Sequence, residues 1–557
     1  MLMSRAHVSA ALAAALMLGS VNAGATSPPP ASPQRTLGYI HKAWGMLTRS
    51  MTDCKSLGDS KVNHRPVMYL PADLPMPKAL AAVQQRCNVD VRRLPQPIQQ
   101  LGDFQPTRLK QQGLLYLPHP YVVPGGKFNE MYGWDSYFIM LGLLADQHVD
   151  MARGMVENFL FEVRHYGAVL NANRSYYLTR SQPPFLGEMV REVLATPQAF
   201  ASKVAADRWL AQAYPLLVKD YSTWTRKAHR AGDTGLARYY GYGGQQPVIE
   251  MDHHVDYLTG VIKFLIRHPG MDQGYLLKAT QHPDAAERAH LAKVSCDVSL
   301  TDTCAKAWYR GYRLSARFYE GDRAMRESGF DTTFRFGPYS GSAADIAPVG
   351  LNSLLYRYAL DLSAFAKRLD KPQQAARWQQ AADARKAAIN RYLWQPAQGQ
   401  FTDYNFVTGK ASHYAFITTF YPLWAGLASK AQAEAVRDEL PLFERAGGLQ
   451  TSTHDTGAQW DAPFGWAPTN WLAVAGLERY GYIDDAKRVA GKFNATIDRS
   501  LAHDGTIREK YNMATGNADV TITAGYTDNV IGFGWTNAVY LKMRQVMQGK
   551  VVDTITP

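Results

Sequence analysis

The sequence has little of several features that would assign it to a particular class of protein. It has four cysteines in 557 residues, and their spacings match no zinc-binding pattern. Although the net charge is +12, no run of five basic residues occurs, so we expect no nucleic-acid partner. No stretch of eighteen uninterrupted apolar residues occurs either, so we expect no membrane span. Strand patterns are sparse and short, such as residues 520–523.

The N-terminus has a pattern typical of an export signal. Arg5 and His7 precede an apolar run over residues 8–18, and small residues follow, with plausible cleavage sites at 21–23 and 23–25. The pattern predicts a signal peptide over residues 1–25. Residues 26–37, rich in Ser and Pro, are expected to be flexible, and residues 38–557 to form one domain. We therefore expect a periplasmic or secreted protein.

The four cysteines fit an oxidising compartment. Their even number permits two disulfides with three possible connectivities. Proximity in the sequence favours Cys54–Cys87 and Cys296–Cys304. Four free buried thiols are the alternative.

Helical periodicity dominates the chain after residue 136. Helices are predicted at residues 137–144, 149–165, 193–230, 254–268, 351–369, 373–393, 415–427, 430–440, 469–480, 484–500 and 535–547. No exact internal repeat is visible. Helical hairpins of this number can pack as a closed ring with functional loops at one end.

Two stretches combine aromatic rings with carboxylates. The first, residues 124–138, reads PGGKFNEMYGWDSYF, and the second, residues 459–468, reads QWDAPFGWAP. Rings can lie against the C–H faces of a sugar while carboxylates accept from its hydroxyls or handle its protons. The alternative is that the rings are hydrophobic plugs and that the carboxylates cap helices.

Together the two stretches resemble the signature motifs of the α,α-trehalases, in the order that this family has them. Residues 171–184 (NANRSYYLTRSQPP) are similar to the family's sugar-contact segment, and residues 532–537 (GFGWTN) to its closing helix. Residues 327–331 (ESGFD) resemble the segment with the general acid, and residues 509–511 (EKY) the segment with the general base. The resemblance, over roughly residues 38–548, implies an all-α fold, an (α/α)6 barrel, and an inverting glycosidase.

The resemblance also implies roles for individual residues. Asp331 is the expected general acid and Glu509 the expected general base. The expected substrate-binding residues are Lys127, Phe128, Trp134, Asp135, Asn171, Arg180, Gln182, Gly329, Trp460 and Trp466. No metal or organic cofactor is implied. The expected partner is a small sugar, α,α-trehalose, bound by a monomer.

Each expected role has a structural alternative. A general acid must keep its proton near neutrality, which an apolar wall of Phe330 and Phe334 or a nearby carboxylate would favour. Without the resemblance, Asp331 would cap a helix or pair with Arg335. Glu509 would form an exposed ion pair, and Asn171 and Arg180 would only pin loops.

Three departures from the family pattern affect residues expected to touch or cover the substrate. Lys127 stands where the family has Arg, so a guanidinium fork becomes a point charge. Residues 245–252 (QQPVIEMD), which include Glu250, stand where the family has an Arg-Pro-Glu-Ser run. Residues 521–528 (TITAGYTD) lack its glycine-rich loop, with Gly525 near the expected Glu. The adjacent His253 and His254 do not share a helix face, so we interpret them as structural or surface residues.

The sequence therefore predicts the hydrolysis of α,α-trehalose to two glucose molecules with inversion. One alternative is a related inverting α-glucosidase that acts on another gluco-disaccharide or oligosaccharide. The other is a non-catalytic sugar-binding relative.

Overall fold

The structure is a computed structural model that describes residues 32–59, 61, 64–248, 255–524 and 527–550. Its α-helices, in chain order, are α1 (Pro33–Leu47), α2 (Cys54–Leu57), α3 (Lys78–Arg86), α4 (Gly133–Ala145), α5 (Val149–His165), α6 (Leu186–Ala195), α7 (Lys203–Thr223), α8 (Val255–Arg267), α9 (Ala285–Val294), α10 (Asp302–Lys306), α11 (Ala316–Glu327), α12 (Val349–Arg368), α13 (Pro372–Tyr392), α14 (Tyr421–Trp424), α15 (Lys430–Asp438), α16 (Ala467–Arg479), α17 (Ile483–Asp504) and α18 (Gly534–Met547).

The strands are short and lie in the loops between helices. They are β1 (Thr48–Arg49), β2 (Val67–Leu70), β3 (Asp90–Arg93), β4 (Leu114–Leu115), β5 (Tyr121–Val122), β6 (Leu276–Lys278), β7 (Tyr312–Leu314), β8 (Ile346–Ala347), β9 (Trp394–Gln395), β10 (Gln400–Phe401), β11 (Tyr404–Asn405), β12 (Lys410–Ala411), β13 (Glu444–Arg445), β14 (Gly448–Leu449), β15 (Phe464–Trp466) and β16 (Lys510–Asn512). Only β2, β3 and β4 pair in parallel; the other strand pairs among the described residues are antiparallel.

Six helices form a closed inner ring. Along the ring, α4 contacts α6, α6 contacts α12, α12 contacts α14, α14 contacts α16, α16 contacts α18, and α18 returns to α4. The helices α1, α5, α7, α13, α15 and α17 alternate with them along the chain and form the outer layer. This is the predicted (α/α)6 barrel.

Burial separates the two layers. In α4 every residue from 133 to 143 is buried, and in α16 every residue from 467 to 477. The outer helix α13 buries only Ala375, Ala382, Arg385 and Ile389 of its 21 residues. A helix that is apolar on all sides needs neighbours on all sides, so the inner helices are those with continuous apolar sequence.

The same alternation gathers the functional loops. Each outer helix is joined to the next inner helix by a loop at one end of the ring, and that end holds the N-termini of the inner helices. The first aromatic stretch runs into α4, the second into α16, and residues 532–537 into α18. Loops at this end therefore converge over the centre of the ring.

The insertion between α7 and α12 has a hydrophobic cluster of its own. The cluster includes residues of α8, β7 and α11, together with Cys296 and Cys304. A disulfide joins Cys296 to Cys304, and a second joins Cys54 to Cys87. These are the two pairings that proximity in the sequence favoured, so the alternative of four free thiols is wrong.

Two local predictions are wrong. The helix predicted at 193–230 is two helices, α6 and α7, because Pro197 follows the end of α6. Residues 520–523 are not a strand. The predicted flexible segment 26–37 overlaps α1, which begins at Pro33 because Ser32 accepts a hydrogen bond from the backbone of Arg35 and caps the helix.

Residues 1–31, including the predicted signal peptide, lie outside the described residues. None of the described helices is both long and apolar enough to cross a bilayer.

Candidate active site

The predicted base lies beside a strand pair that joins it to the second aromatic stretch. Strands β15 and β16 are antiparallel, and Trp466 lies opposite Lys510. Glu509 precedes β16; its backbone nitrogen donates to the Val530 carbonyl at 2.9 Å, and its own carbonyl accepts from the Trp535 indole at 3.3 Å. Its side chain is 10% exposed, so the alternative of an exposed ion pair is wrong.

The predicted acid lies on the loop that follows α11. Gly329 has a φ of +76°, and a Cβ there would lie 2.9 Å from the Trp134 ring, so only glycine fits without strain. Two residues later, Asp331 exposes 43% of its side chain. The loop therefore turns over a buried ring and leaves the Asp331 carboxylate partly exposed to solvent.

The second aromatic stretch holds this acid loop in place. The Gln459 amide donates to the Asp331 carbonyl, and the Trp460 backbone nitrogen donates to the Thr332 carbonyl at 3.1 Å. The buried Asp461 carboxylate accepts from the Thr333 hydroxyl and from the next backbone nitrogen, both at 2.9 Å. These contacts join segments that are 128 residues apart.

Glu327, the last residue of α11, ties the other end of the acid loop to the sugar-contact segment. Its carboxylate accepts from the Ser181 backbone nitrogen at 3.2 Å and from the Tyr240 backbone nitrogen at 2.7 Å. It also lies 3.0 Å from Nε2 of the fully buried His229. The loop is therefore anchored on both sides of Asp331.

A third carboxylate, Asp135, is affected by the charges of both predicted catalytic groups. Asp135 lies in the first turn of α4 and is 5% exposed. Burial raises the pKa of Asp135 well above its usual range, and the charges of Glu509 and Asp331 raise it further. The neutral form of Asp135 is thus favoured, and a neutral carboxyl can donate a hydrogen bond as well as accept one.

The tryptophans predicted to touch substrate lie in a buried aromatic cluster. The rings of Trp460 and Trp466 stack with centroids 3.9 Å apart, and Trp134 lies 5.7 Å from Trp460. Phe330 also packs on Trp134 and Trp460. The three tryptophans are 1–2% exposed. The rings form a floor beneath the acid loop, which favours the plug alternative, and their contact with a sugar stays a prediction.

The predicted sugar-contact residues are buried and joined to one another. The Asn171 side-chain oxygen accepts from the Arg180 guanidinium at 3.4 Å, and that guanidinium lies 4.8 Å from the Tyr177 ring centroid. The Gln182 side-chain oxygen accepts from the Trp134 backbone nitrogen at 3.0 Å and so caps α4. These side chains therefore fix their loops, as the structural alternative predicts, and this role does not exclude contact with a sugar.

Lys127 lies at the exposed rim. Its ammonium is 2.7 Å from an Asp528 carboxylate oxygen, and the two side chains are 42% and 64% exposed. The neighbouring Phe128 ring packs on Tyr132 and Phe533. The ion pair connects the first stretch to the loop before α18. Glu250 and Gly525, in the other two departures, and the adjacent His253 and His254 lie outside the described residues.

Two arginines on either side of Asp331 have partners that the sequence did not indicate. Arg335 pairs with Asp403 at 2.5 Å, so its predicted alternative pairing with Asp331 is wrong. Arg326, one residue before the ESGFD segment, holds Asp322 and comes within 3.9 Å of Asp331. Its proximity in the sequence was the one available signal.

Glu130 is a structural anchor. Its carboxylate is fully buried and accepts from Lys61 at 2.8 Å and from Arg174 at 2.6 Å. Burial alone would raise the pKa of Glu130, but the two cations lower it to about 2. Arg174 also pairs with Asp59 at 2.8 Å, so this network fixes the first stretch to the N-terminal region.

The fold has a close counterpart among solved structures. The neutral trehalase Nth1 from Saccharomyces cerevisiae superposes with a TM-score of 0.75 at 32% sequence identity. The match covers 92% of this chain and 94% of that chain. The shared fold therefore includes both layers of the barrel.

Curated relatives match over most of the chain. The cytosolic neutral trehalase of S. cerevisiae is 34% identical over 561 residues, which are 89% of this chain and 69% of that protein. The cytosolic neutral trehalase of Kluyveromyces lactis is 37% identical over 453 residues, 76% of this chain and 56% of that protein. The chain thus spans between about half and two thirds of the length of these relatives.

These relatives contradict the prediction of a periplasmic or secreted protein with a signal peptide. Both are cytosolic proteins, as are similar ones from Neurospora crassa and Beauveria bassiana. A short apolar run after one arginine is a weak pattern, because it specifies neither a cleavage event nor a destination. The predicted localisation is therefore not retained.

A family model agrees with the motifs and with the fold. The model of the family described as Trehalase matches residues 51–548. That range contains both aromatic stretches, the acid loop, Glu509 with the following strand β16, and all six inner helices. The chain belongs to the trehalase family.

Proposed function

We propose that this protein hydrolyses α,α-trehalose to two glucose molecules with inversion at the attacked carbon. The observation that supports the proposal is that one segment, the second aromatic stretch, contacts both predicted catalytic regions: Gln459 donates to the Asp331 carbonyl, and Trp466 pairs with Lys510, the residue after Glu509. The predicted acid and base are 178 residues apart in the sequence, and the charges of both raise the pKa of the buried Asp135.

Asp331 is the proposed general acid. Its exposed carboxyl donates a proton to the oxygen that bridges the two glucose units, and the departing glucose leaves as an alcohol. The charge that develops on the attacked ring is an oxocarbenium-like cation. The ionised Glu509 carboxylate favours that positive charge, and the neutral Asp135 can accept or donate a hydrogen bond beside it.

Glu509 is the proposed general base. It removes a proton from a water molecule that attacks the anomeric carbon from the face opposite the leaving group. Inversion needs room for that water, about 6.5–9.5 Å between the two carboxyls. A carboxylate directly before β16, with its orientation fixed by Lys510 at 2.9 Å, suits this role.

The remaining predicted residues are proposed to hold the sugars. Asn171 and Arg180 offer one amide and one guanidinium to hydroxyl groups, and Asp135 in its neutral form can donate as well as accept. Lys127 and Phe128 at the rim would meet the outer glucose. Gly329 and Gln182 act through the shape of the site. Gly329 permits the turn of the acid loop beside Trp134, and the Gln182 side chain accepts a hydrogen bond from the Trp134 backbone nitrogen.

The direct test is an assay of the purified full chain with trehalose, maltose, kojibiose and nigerose. We expect glucose from trehalose at a much higher kcat/KM than from the other three sugars. Turnover of another disaccharide but not of trehalose would contradict the substrate and leave the mechanism standing. Binding of trehalose by calorimetry without any turnover would instead favour the non-catalytic relative.

A further inference from the structure

Lys510 is the residue in the site whose burial is hardest to explain by packing alone. Its side chain is 0% exposed, whereas lysines are almost never fully buried unless paired. It follows Glu509 directly and lies on β16 opposite Trp466. A buried ammonium next to the proposed base needs partners that offset its desolvation.

Among the described residues, the Lys510 ammonium contacts a carboxylate, a carbonyl and an aromatic ring. It donates to Glu509 Oε2 at 2.9 Å and to the backbone carbonyl of Asp528, and it lies 4.9 Å from the Trp466 ring centroid. Burial lowers the pKa of Lys510, and the charges of Glu509 and Asp331 oppose that effect. The cation is thus held by one carboxylate, one carbonyl and one ring face.

The Lys510 backbone is fixed to the same loop. Its nitrogen donates to the Asn529 side-chain oxygen at 3.3 Å, and its carbonyl accepts from the Asn529 amide at 3.1 Å. That amide also donates to Ala518, and Arg508 donates to the Asn529 carbonyl. The loop over residues 527–530 is therefore attached to β16 through both backbone and side chains.

The loop continues to the rim. The Asp528 carboxylate pairs with Lys127 at 2.7 Å, while its carbonyl accepts from Lys510. The charge of Lys127 also acts on Lys510. One residue, Asp528, thus joins a lysine at the expected substrate rim to the lysine that touches the proposed base.

We propose that Lys510 is a positioning residue for hydrolysis, which orients the Glu509 carboxylate toward the attacking water and couples it to the rim through Asp528. The inference rests on the proposed function of Glu509. Lys510 itself touches neither sugar nor water in this account. A flexible glutamate would sample several rotamers, and the fixed ammonium holds Glu509 in one of them.

The charged groups around Glu509 predict a measurable signature. Lys510 contacts it from β16, the charge of Glu509 acts on Asp135 in α4, and the charges of Asp331 and Lys127 act on Lys510. Loss of the Lys510 charge removes the ammonium that contacts Glu509 and leaves these other groups in place. A carboxylate that loses an adjacent cation takes up a proton more readily, so the enzyme should lose activity at a higher pH on the acid side.

The test compares Lys510→Met with the parent enzyme on trehalose. We expect kcat to fall by roughly 50-fold or more, KM to stay within about threefold, and the acid limb of the kcat/KM profile to move up by about one pH unit. Lys510→Arg, which keeps the charge, should leave the acid limb in place and recover part of kcat. A parental kcat and acid limb in Lys510→Met would overturn the proposal.

A matched control separates this role from the general cost of removing a buried lysine. Lys542 in α18 is 9% exposed and lies 5.3 Å from the Trp471 ring centroid, so Lys542→Met removes a similar ammonium from a similar ring. It should keep the parental acid limb. An equal shift in both variants would overturn the proposal.

Two further outcomes are distinguishable. If Lys510→Met does not fold, as judged by its thermal transition, Lys510→Gln is measured in its place. Its amide keeps hydrogen-bond donors and loses the charge. An acid limb of Lys510→Gln at the parental pH would overturn the inference. If the parent enzyme releases no glucose from trehalose, the proposed function fails. If the parent is active and the acid limb does not move, only the role of Lys510 fails.

Discussion

At the scale of single residues, the proposed acid and base differ in how they are held. Asp331 exposes 43% of its side chain and is positioned by its loop, whereas Glu509 exposes 10% of its side chain and forms an ion pair with Lys510. A general acid such as Asp331 must reach the oxygen of the leaving group, whereas a general base such as Glu509 must hold a water molecule in one orientation.

Asp331→Asn and Glu509→Gln should each lower kcat by ~10²–10⁴, because each removes a proton transfer and keeps the shape of the side chain. Steady-state kinetics on trehalose measure this, and the thermal transition should change little. Asp438→Asn, at the exposed end of the outer helix α15, is the matched control and should keep parental activity. Near-parental rates in either site variant would remove that residue from its role.

Gly329 tests how tightly the acid loop is built. Gly329→Ala combines a φ of +76° with a contact of 2.9 Å to Trp134, so we expect a loss of kcat of ~10-fold or more and a destabilisation above ~1 kcal/mol. Gly481→Ala has a similar φ of +84° and nothing within 4 Å of the new Cβ. It should lose about 1 kcal/mol of stability and no activity. Equal effects of the two variants on kcat would contradict the role of the Trp134 contact.

At the scale of elements, the site is assembled by pairs that lie far apart in the sequence. Helical periodicity located most helices, and the family resemblance located the expected acid and base segments. Neither indicated that Trp466 pairs with Lys510 or that Asp461 holds the acid loop. Such contacts depend on how loops cross at the end of the ring, which a local pattern does not encode. The break between α6 and α7 was also missed, because the apolar pattern continues across Pro197.

A buried carboxyl, Asp220, lies in α7, which packs on α12, and it should make the free energy of unfolding depend on pH. Burial raises the pKa of Asp220 to about 6. Because its pKa in the unfolded chain is about 3.9, the ionised group destabilises the fold above pH 6, and this cost disappears as the pH falls toward 4. Two pH units correspond to at most ~3 kcal/mol.

Asp220→Asn should therefore raise the free energy of unfolding at pH 7–8 and lose that advantage as the pH approaches 4. The amide fits, because Val169 donates to one oxygen and the Tyr358 hydroxyl can turn toward Leu217 at 3.2 Å and accept from the new amide. Urea denaturation at several pH values measures the difference. The exposed Asp233→Asn is the control, and a benefit independent of pH would contradict the assignment.

At the scale of the whole molecule, the closed ring explains why one end carries the site. All six inner helices start there, so every long loop that precedes an inner helix reaches the same place. The ring of paired helices could be predicted from the number of helical segments and from the family resemblance. The localisation could not, because a short apolar run after a basic residue does not by itself specify where a protein is delivered.

The central claim is inverting hydrolysis of trehalose at this end of the ring, and the anomeric state of the first products tests it most directly. Proton NMR of a freshly mixed reaction, read before mutarotation, should show equal amounts of β-glucose and α-glucose, because the attacked unit inverts and the departing unit keeps its configuration. The same spectrum from Glu509→Gln should show little product. Initial release of α-glucose alone would contradict the account.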